Sequence, residues 1–302
     1  MASQFDILFE RKRANIAEIL VHGALCWVHG DKVIHSLGDD PLIYGRSLMK
    51  PFQMKVFKDE LKDFTAEQQA ISIASHSGTQ KHIAMAQSLL KQSDWGKLQT
   101  PISAALGGSD EQSRWHHPCS GKHAGIILGC MKKGWPTDNY LSQNHPYHKA
   151  YMSELEYAMG LSQQSLIACP DGCGLPTLGH HVSDLARSFS YLAKTSDSDW
   201  IWSAMTKQPW FIGGDNRMDS DIMLATQGKV LAKEGADGLL GLAIKDESYP
   251  EGLGVVLKVA HGRDEQTMKL IAQKILASLG FDWQVEECNQ EQVAYVSDSI
   301  LP

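Results

Sequence analysis

The stretch KVLAKEGADGLLGLAI, residues 229–244, decides the predicted fold of this chain. Its two short apolar runs, 229–232 and 239–244, are separated by Gly235 and Gly238, which is typical of β-strands joined by a turn. A further apolar run follows at residues 255–259, beside Gly252 and Gly254. These strands come late in the chain, so the fold class depends on what the chain begins with.

The beginning of the chain also predicts strands. Residues 16–27 mix β-branched and apolar side chains, and residues 32–36 follow a turn signal at Gly30 and Asp31. Two such runs on either side of a short Gly-containing turn indicate a β-hairpin.

The middle of the chain has the period of helices. A capping box at Thr65 and Gln68 predicts a helix that runs to Ala74, and after Ser75-His76-Ser77-Gly78 a second helix is expected toward Leu90. Further helices are predicted at 47–61, 121–133, 146–159, 177–193 and, near the end of the chain, 266–279.

Strands, then helices, then strands predict an α+β fold. We expect an antiparallel sheet built from the N- and C-terminal strands, with a helical layer inserted between them, in a single domain over residues 1–302. The sequence contains no internal repeat and no low-complexity linker.

Composition narrows the function. With 302 residues, of which 43% are hydrophobic, the chain can bury a large core. A formal net charge of −7 without a long run of Lys and Arg argues against nucleic acid and anionic lipid as partners. No apolar run is long enough for a membrane span or a secretory signal, so we expect a cytoplasmic protein with a small-molecule substrate.

Six cysteines are few for this length, and a cytoplasmic thiol pool would keep them reduced. Their roles are therefore packing, metal binding or catalysis. They are Cys26, Cys119, Cys130, Cys169, Cys173 and Cys288.

A serine and a lysine three residues apart suggest a nucleophile and its base. On a helix, Ser47 and Lys50 project from one face and can touch. A lysine with an ordinary pKa of about 10.4 needs a shift of roughly three units, from burial or a neighbouring cation, before it can accept a proton at neutral pH. The spacing alone is common by chance, so its context matters.

Two later motifs supply that context. Ser75-His76-Ser77-Gly78 and Lys233-Glu234-Gly235 follow in the chain order that S-x-x-K, S-D-N and K-T-G take in penicillin-recognising serine hydrolases. Lys233 lies on a predicted strand, and Gly235 is small enough for a substrate to approach the strand edge.

A second set of residues could bind metal or substrate. Cys119-Ser120-Gly121-Lys122-His123 opens a predicted helix, and Asp171-Gly172-Cys173 lies in a tight loop. Thiols are soft zinc ligands, and His116 and His117 precede Cys119, but buried free cysteines explain the same residues. Asp171 could hold a substrate ammonium or form an Asx-turn with its own backbone.

Five segments together resemble the class 3, rhizobial-type L-asparaginases, whose fold is similar to that of serine β-lactamases and serine-dependent glutaminases. CSGKH and DGCGLPT are the specific motifs, and the resemblance extends over nearly the whole chain. The segments are RSLMKPFQ at 46–53, ASHSG at 74–78, CSGKHAG at 119–125, PDGCGLPT at 170–177 and KVLAKEGADG at 229–238.

The resemblance implies two catalytic tandems. Ser47 with Lys50 forms one, and Ser75 with Lys233 forms the other. In the predicted reaction Ser47 attacks the side-chain amide of asparagine with Lys50 as base, which gives an acyl-enzyme and then L-aspartate and ammonia.

The resemblance also implies a cofactor and an assembly. Zinc would be held by Cys119, Lys122 and Cys173, and the protein would form homodimers. Residues expected to contact substrate or organise the site are Arg46, His123, Asp171 and Gly235. Two alternatives remain: a glutaminase or peptide-like amide hydrolase on the same fold, and a zinc-stabilised binding module without activity.

Overall fold

The computed structural model describes residues 4–106, 108, 110–160, 167–262, 264–285 and 293–302. The chain divides into two compact units. The sheet unit contains Met1–Ile43, His180–Lys194 and Ile222–Pro302, and the helical unit contains Tyr44–Gly179 and Thr195–Asp221. The predicted single domain spans both units and stays a prediction; Cys288 lies outside the described residues.

Ten strands and ten helices are present in the described part of the chain. The strands are β1 Asp6–Arg13, β2 Ile16–His29, β3 Lys32–Leu37, β4 Leu42–Tyr44, β5 Ala168–Pro170, β6 Pro176–His181, β7 Val230–Gly235, β8 Leu239–Ile244, β9 Leu253–Val259 and β10 Val293–Val296. The helices are α1 Lys50–Lys55, α2 Ala66–Ile73, α3 Gln80–Gln87, α4 Ser120–Lys133, α5 Pro146–Met159, α6 Val182–Lys194, α7 Trp200–Lys207, α8 Pro209–Ile212, α9 Met218–Ala225 and α10 Glu265–Ser278.

The sheet unit is built on one antiparallel sheet. Its strand order is β10-β1-β2-β9-β8-β7, and β3 pairs with β2. Strands from the beginning of the chain therefore lie between strands from its end. This confirms the predicted α+β class and the predicted sheet made from both chain termini.

Glycines bring helix α6 close to this sheet. A β-carbon on Gly241 of β8 would lie 2.2 Å from the Phe189 ring, and one on Gly254 of β9 would lie 2.0 Å from the Ala186 carbonyl oxygen. Such distances exclude a side chain, so the backbone of the sheet packs directly on α6. On β2, buried Trp27 donates its indole N–H to the Ile300 carbonyl at 2.9 Å.

Two predicted helices differ most from the structure. The helix predicted at 177–193 begins only at Val182, because residues 176–178 pair with β5 as strand β6. The helix predicted at 47–61 is a 3₁₀ turn, Arg46–Met49, followed by α1, which ends at Lys55. Strand β1 and helices α7 to α9 have no counterpart in the prediction.

In the helical unit, α2 is the central helix, in contact with α1, α3, α4, α7 and α8. It begins with the predicted capping box, in which the Gln68 main-chain N–H donates to the Thr65 hydroxyl at 3.3 Å and the Thr65 N–H donates to the Gln68 side chain. Helix α5 has the predicted bounds and ends at Gly160, whose φ of +68° favours glycine.

Three glycines of α4, four residues apart on one face, allow this helix to pack closely on its neighbours. A β-carbon on Gly121 would lie 2.2 Å from the Ile71 carbonyl oxygen of α2, and one on Gly129 would lie 2.3 Å from the Phe57 ring. Gly125, between them, faces Ser72 and Met54. The start of α4 is thereby held against the end of α2.

Within the described residues, no helix combines the length and the apolar character that crossing a bilayer requires.

Candidate active site

The candidate serine-lysine pair begins in a strained turn. Arg46 has a φ of +46°, which L-residues adopt rarely and at a cost of about 1 to 3 kcal/mol. Its main-chain N–H donates to the Thr177 hydroxyl at 3.1 Å, which helps to hold this conformation. Ser47 follows on the 3₁₀ turn with a partly exposed side chain, and Lys50 begins α1, buried to 1% exposure.

The Lys50 amine lies against the second predicted serine. Its Nζ donates to Ser75 Oγ at 2.8 Å and also to the main-chain carbonyl of Ala74. Ser75 is 9% exposed. The tandem of Ser47 with Lys50 stays a prediction, and the structure also brings Lys50 together with Ser75, the serine of the other predicted tandem. A lysine and a serine at hydrogen-bond distance in a buried site can exchange a proton.

The segment that carries Ser75 leaves helix α2 in an extended conformation. The Ser75 N–H donates to the Ile212 carbonyl at 2.9 Å, and Arg217 Nη1 donates to the Ser75 carbonyl at 2.9 Å. Two residues on, the Ser77 hydroxyl donates to the Gly213 carbonyl at 2.7 Å. Both main-chain groups of Ser75 are therefore bonded to residues 212–217.

His76 connects this segment to the start of α4. Its Nδ1 accepts the Gly78 N–H at 3.0 Å, and its Nε2 lies 2.9 Å from Ser120 Oγ. The Ser120 hydroxyl donates its proton to the Trp115 carbonyl, so the network places the remaining ring proton on His76 Nε2. Burial lowers the pKa of His76 well below its usual value, and the neutral ring acts as a bridge.

Cys119, Lys122 and Cys173 form a buried cluster at the start of α4. Lys122 Nζ donates to Cys173 Sγ at 3.4 Å, and the Cys173 thiol donates to Cys119. That hydrogen bond, with the ammonium charge of Lys122, holds the pKa of Cys119 well below its usual value. The same bond and burial raise the pKa of Cys173. Of the two thiols, Cys119 therefore loses its proton more readily.

The charge of Lys122 follows from these neighbours. Burial lowers the pKa of Lys122, but its neighbours Cys173, Cys119 and Asp171 together outweigh burial and raise it. Lys122 is thus the cation that balances the thiolate.

The donor atoms of this cluster can be compared with the ligands that zinc takes in proteins. Within the described residues, no three His, Cys, Asp or Glu side chains lie close enough to hold a metal ion. His117 accepts the Cys119 N–H at Nδ1, and His116 Nδ1 lies 2.8 Å from the Ser113 hydroxyl. Two sulfurs and the Lys122 nitrogen fit zinc in donor type, provided that Lys122 gives up its proton when the ion binds.

Asp171 lies in the tight loop between β5 and β6. It accepts a hydrogen bond from Arg46 Nε at 2.7 Å, and the two side chains are 16% and 23% exposed. The same carboxylate oxygen accepts the Gly172 N–H at 2.7 Å. Asp171 therefore bonds its own loop backbone and the Arg46 side chain at the same time. Two residues predicted to contact substrate are thereby held together.

His123, the third of those residues, is fully buried on α4. Its Nδ1 lies 2.9 Å from the Tyr140 hydroxyl, and its Nε2 has no hydrogen-bond partner among the described residues. Burial, with the charge of Lys122, lowers the pKa of His123 well below its usual value. A neutral imidazole with one unused nitrogen is suited to bind a polar group.

Lys233 and Gly235 belong to the sheet unit, on strand β7. Lys233 is fully buried and donates to the Glu234 carbonyl at 3.1 Å, and Gly235 is partly buried at the end of the strand. Their predicted catalytic and substrate-binding roles stay predictions.

A cavity of about 450 Å³ opens beside the Ser75 segment. It is lined by Ser77, Gly78, Thr79, Gln80, Ala105, Leu106, Gly108, His116 and Asp215. A β-carbon on Gly78, whose φ is +75°, would lie 2.9 Å from the His116 carbonyl oxygen, so glycine is needed at the wall of the cavity. The cavity is large enough for a small molecule, but Ser47, Lys50 and Ser75 are not among its lining residues.

Sequence reasoning missed two residues of this site. Arg217 lies in none of the motifs named above, and nothing in its local sequence connects it with Ser75. His76 lies inside the ASHSG segment, but its role depends on Ser120, 44 residues later. The positions of both residues follow from tertiary packing.

A model of the L-asparaginase II family matches residues 9–299. Comparison with curated proteins gives no match. The crystal structure of a Bacillus glutaminase in 4.3 M NaCl is similar with a TM-score of 0.44 and 10% identity, covering 86% of this chain and 91% of that chain.

A probable glutaminase from Bacillus subtilis, complexed with 6-diazo-5-oxo-L-norleucine, gives a TM-score of 0.34 and 13% identity, covering 86% of this chain and 84% of that chain. At these TM-scores neither structure supports an argument about this site.

Proposed function

This chain belongs to the L-asparaginase II family, and we propose that it hydrolyses L-asparagine to L-aspartate and ammonia. The family match confirms the resemblance seen in the motifs and makes the chain an amidohydrolase. The observation that carries the proposal is the buried contact of 2.8 Å between Lys50 Nζ and Ser75 Oγ.

Exposure separates the roles of the two serines. A nucleophile must meet substrate, and Ser47 is partly exposed, whereas Ser75 is 9% exposed and already bonded to Lys50. We therefore assign the attack to Ser47, the base to Lys50 and a proton relay to Ser75. The strained turn at Arg46 supports this assignment, since strain is often stored where a nucleophile is presented.

The reaction then has two halves. Ser47 Oγ attacks the amide carbon while its proton passes to Lys50, and the same proton goes to the departing nitrogen as ammonia leaves. Water, deprotonated by Lys50, attacks the resulting ester and releases aspartate. Lys233 is proposed to assist this proton transfer together with Ser75. The main-chain N–H of Ser47 is the first candidate donor to the oxyanion.

Substrate is held by the residues around Asp171. The carboxylate, fixed by Arg46 at 2.7 Å, is suited to an α-ammonium group, and the unused His123 Nε2 is suited to a second polar group. Gly235 is proposed to leave room for the substrate. Zinc, if held by Cys119, Lys122 and Cys173, would supply a positive charge that positions the substrate carboxylate.

The alternative substrate is glutamine. It differs from asparagine by one methylene, which is worth only about 1 to 3 kcal/mol of discrimination in a binding site. Ammonia release measured with both amides at equal concentration decides between them.

The test of the function is ammonia release from asparagine. The wild-type protein should be active, and Ser47→Ala should lower kcat at least about a hundredfold because the nucleophile is missing. Ser75→Ala should keep more activity than Ser47→Ala, since a relay can be bypassed by water. A wild-type protein that hydrolyses neither amide contradicts the proposed function. Full activity in Ser47→Ala would identify Ser75 as the nucleophile.

A further inference from the structure

Residues 212–217 hold the Ser75 segment at three points. Ile212 accepts the Ser75 N–H at 2.9 Å, Gly213 accepts the Ser77 hydroxyl at 2.7 Å, and Arg217 Nη1 donates to the Ser75 carbonyl at 2.9 Å. Of the three, only the Arg217 contact comes from an ionised group, and charge-assisted hydrogen bonds are about twice as strong as neutral ones.

These residues are themselves held in one conformation. The Ser220 hydroxyl accepts the Gly213 N–H at 3.1 Å and donates to the Pro209 carbonyl at 2.7 Å. Gly214 has a φ of +119°, and a β-carbon there would lie 2.8 Å from Ser77 Oγ. The backbone that contacts Ser75 is thus fixed by its own hydrogen bonds and by glycines that allow close approach.

Ser75 is consequently held from two sides. Its main chain is hydrogen-bonded to Ile212 and Arg217. Its hydroxyl oxygen accepts a hydrogen bond from Lys50 Nζ at 2.8 Å. A shift of the Ser75 carbonyl would move Oγ relative to Lys50 Nζ, and misplacements of about 1 Å can cost roughly a hundredfold in rate.

We propose that Arg217 is a positioning residue for the amidohydrolase reaction, which sets the Ser75 hydroxyl against the Lys50 amine through its hydrogen bond to the Ser75 carbonyl. This inference rests on the proposed function, because it assigns Arg217 to the same serine-lysine site. Arg217 has no role in attack or in proton transfer.

The experiment compares Arg217→Met, which keeps the length of the side chain without a donor, with Arg217→Lys, which keeps a charged donor. Steady-state ammonia release gives kcat and KM for each variant, and thermal unfolding verifies that each is folded. The matched control is Arg114→Met, since Arg114 also donates to a main-chain carbonyl in the helical unit, that of Thr100.

Arg217→Met should lower kcat at least about tenfold with KM within about threefold of wild type, because a charge-assisted hydrogen bond that orients the site is lost. Arg217→Lys should restore most of the activity, and Arg114→Met should leave kcat unchanged. A merely structural role would lower activity in proportion to the folded fraction, and rescue by lysine would not be expected.

The outcomes separate the two proposals. If the wild-type protein is active and Arg217→Met retains its kcat, or Arg217→Lys is as impaired as Arg217→Met, the positioning role is overturned and the proposed function stands. If the wild-type protein hydrolyses neither asparagine nor glutamine, the proposed function fails first, and the positioning role fails with it.

Discussion

The two ends of helix α1 carry buried lysines with different partners. Lys50, at the start, is 1% exposed and donates to the hydroxyl of Ser75 and the carbonyl of Ala74. Lys55, at the end, is 4% exposed and donates to the Asp199 carboxylate at 2.5 Å. Both lysine side chains are buried, but one contacts a hydroxyl and a carbonyl oxygen and the other contacts a carboxylate.

This difference shows that the partner, more than burial, indicates what a buried lysine does. A carboxylate compensates the ammonium charge, so the Lys55 pair contributes to the fold. Contacts with a serine hydroxyl and a carbonyl oxygen provide a path for a proton, so Lys50 is suited to catalysis. Two lysines five residues apart on one helix are thus expected to fail in different ways when mutated.

The largest expected effect is on turnover. Lys50→Met should lower kcat/KM for asparagine by about 10²- to 10⁴-fold, the usual contribution of a general base. Lys55→Met, measured per folded molecule, should keep kcat/KM within about threefold of wild type, since Lys55 is paired with the Asp199 carboxylate. An equal loss of kcat/KM in the two variants would show that Lys50 and Lys55 do not differ in role.

The second effect is on stability. Asp199→Asn should lower the free energy of unfolding by about 3 to 5 kcal/mol, because it leaves the Lys55 charge buried without its partner. Asparagine can still accept the Ile201 N–H at the start of α7, so the cap is kept. The free energy of unfolding is measured by denaturant unfolding of three variants: Lys55→Met, Asp199→Asn and the double variant. A double variant as unstable as the sum of the two singles would show that the ion pair is not the cause.

A third buried lysine, Lys122, extends the comparison to thiol partners. If Cys119, Lys122 and Cys173 hold zinc, purified protein should contain the metal, and chelation should raise KM for asparagine about tenfold with a smaller effect on kcat, since the ion positions substrate. Cys173→Ser should lower the zinc content.

The matched control for the metal is Cys130→Ala. Cys130 also lies on α4, and burial raises its pKa to about 12, so it is an unreactive thiol outside the cluster. This variant should keep its zinc. Metal-free wild-type protein with an unchanged KM would remove zinc from the proposal and leave the serine-lysine chemistry untouched.

The smallest effect is expected for the partly exposed pair of Arg46 and Asp171. Asp171→Asn should raise KM for asparagine about three- to tenfold, as the ammonium loses its counter-charge, and change stability by less than about 1 kcal/mol. Glu60→Gln, which breaks the similarly exposed pair with Lys133, is the control and should leave KM unchanged. A change in stability without a change in KM would assign Asp171 to structure.

The sequence predicted those parts of the fold that depend on local pattern. The strands at both chain ends, the capping box at Thr65 and the bounds of α5 all follow from periodicity and from helix-end residues. Residues 177–181 were wrongly predicted as helix, because their apolar spacing fits a helix and only the pairing with β4 and β5 makes them a strand.

The residues of the candidate site were predicted, but the contact between Lys50 and Ser75 was not. Ser47 and Lys50 were singled out by spacing and Ser75 by motif order, whereas the contact between Lys50 and Ser75 requires the end of α2 to lie beside the start of α1. Arg217 illustrates the limit, since its hydrogen bond spans 142 residues and no local pattern predicts it.

The glycine face of α4 has a consequence for engineering the specificity of this protein. The helix that begins beside Cys119 is docked through main-chain contact at Gly121, Gly125 and Gly129, so any larger residue there acts as a wedge. A saturation library should therefore tolerate replacements in the loops around the cavity far better than at these three positions. Attempts to enlarge the substrate range should vary those loops and keep the α4 glycines fixed.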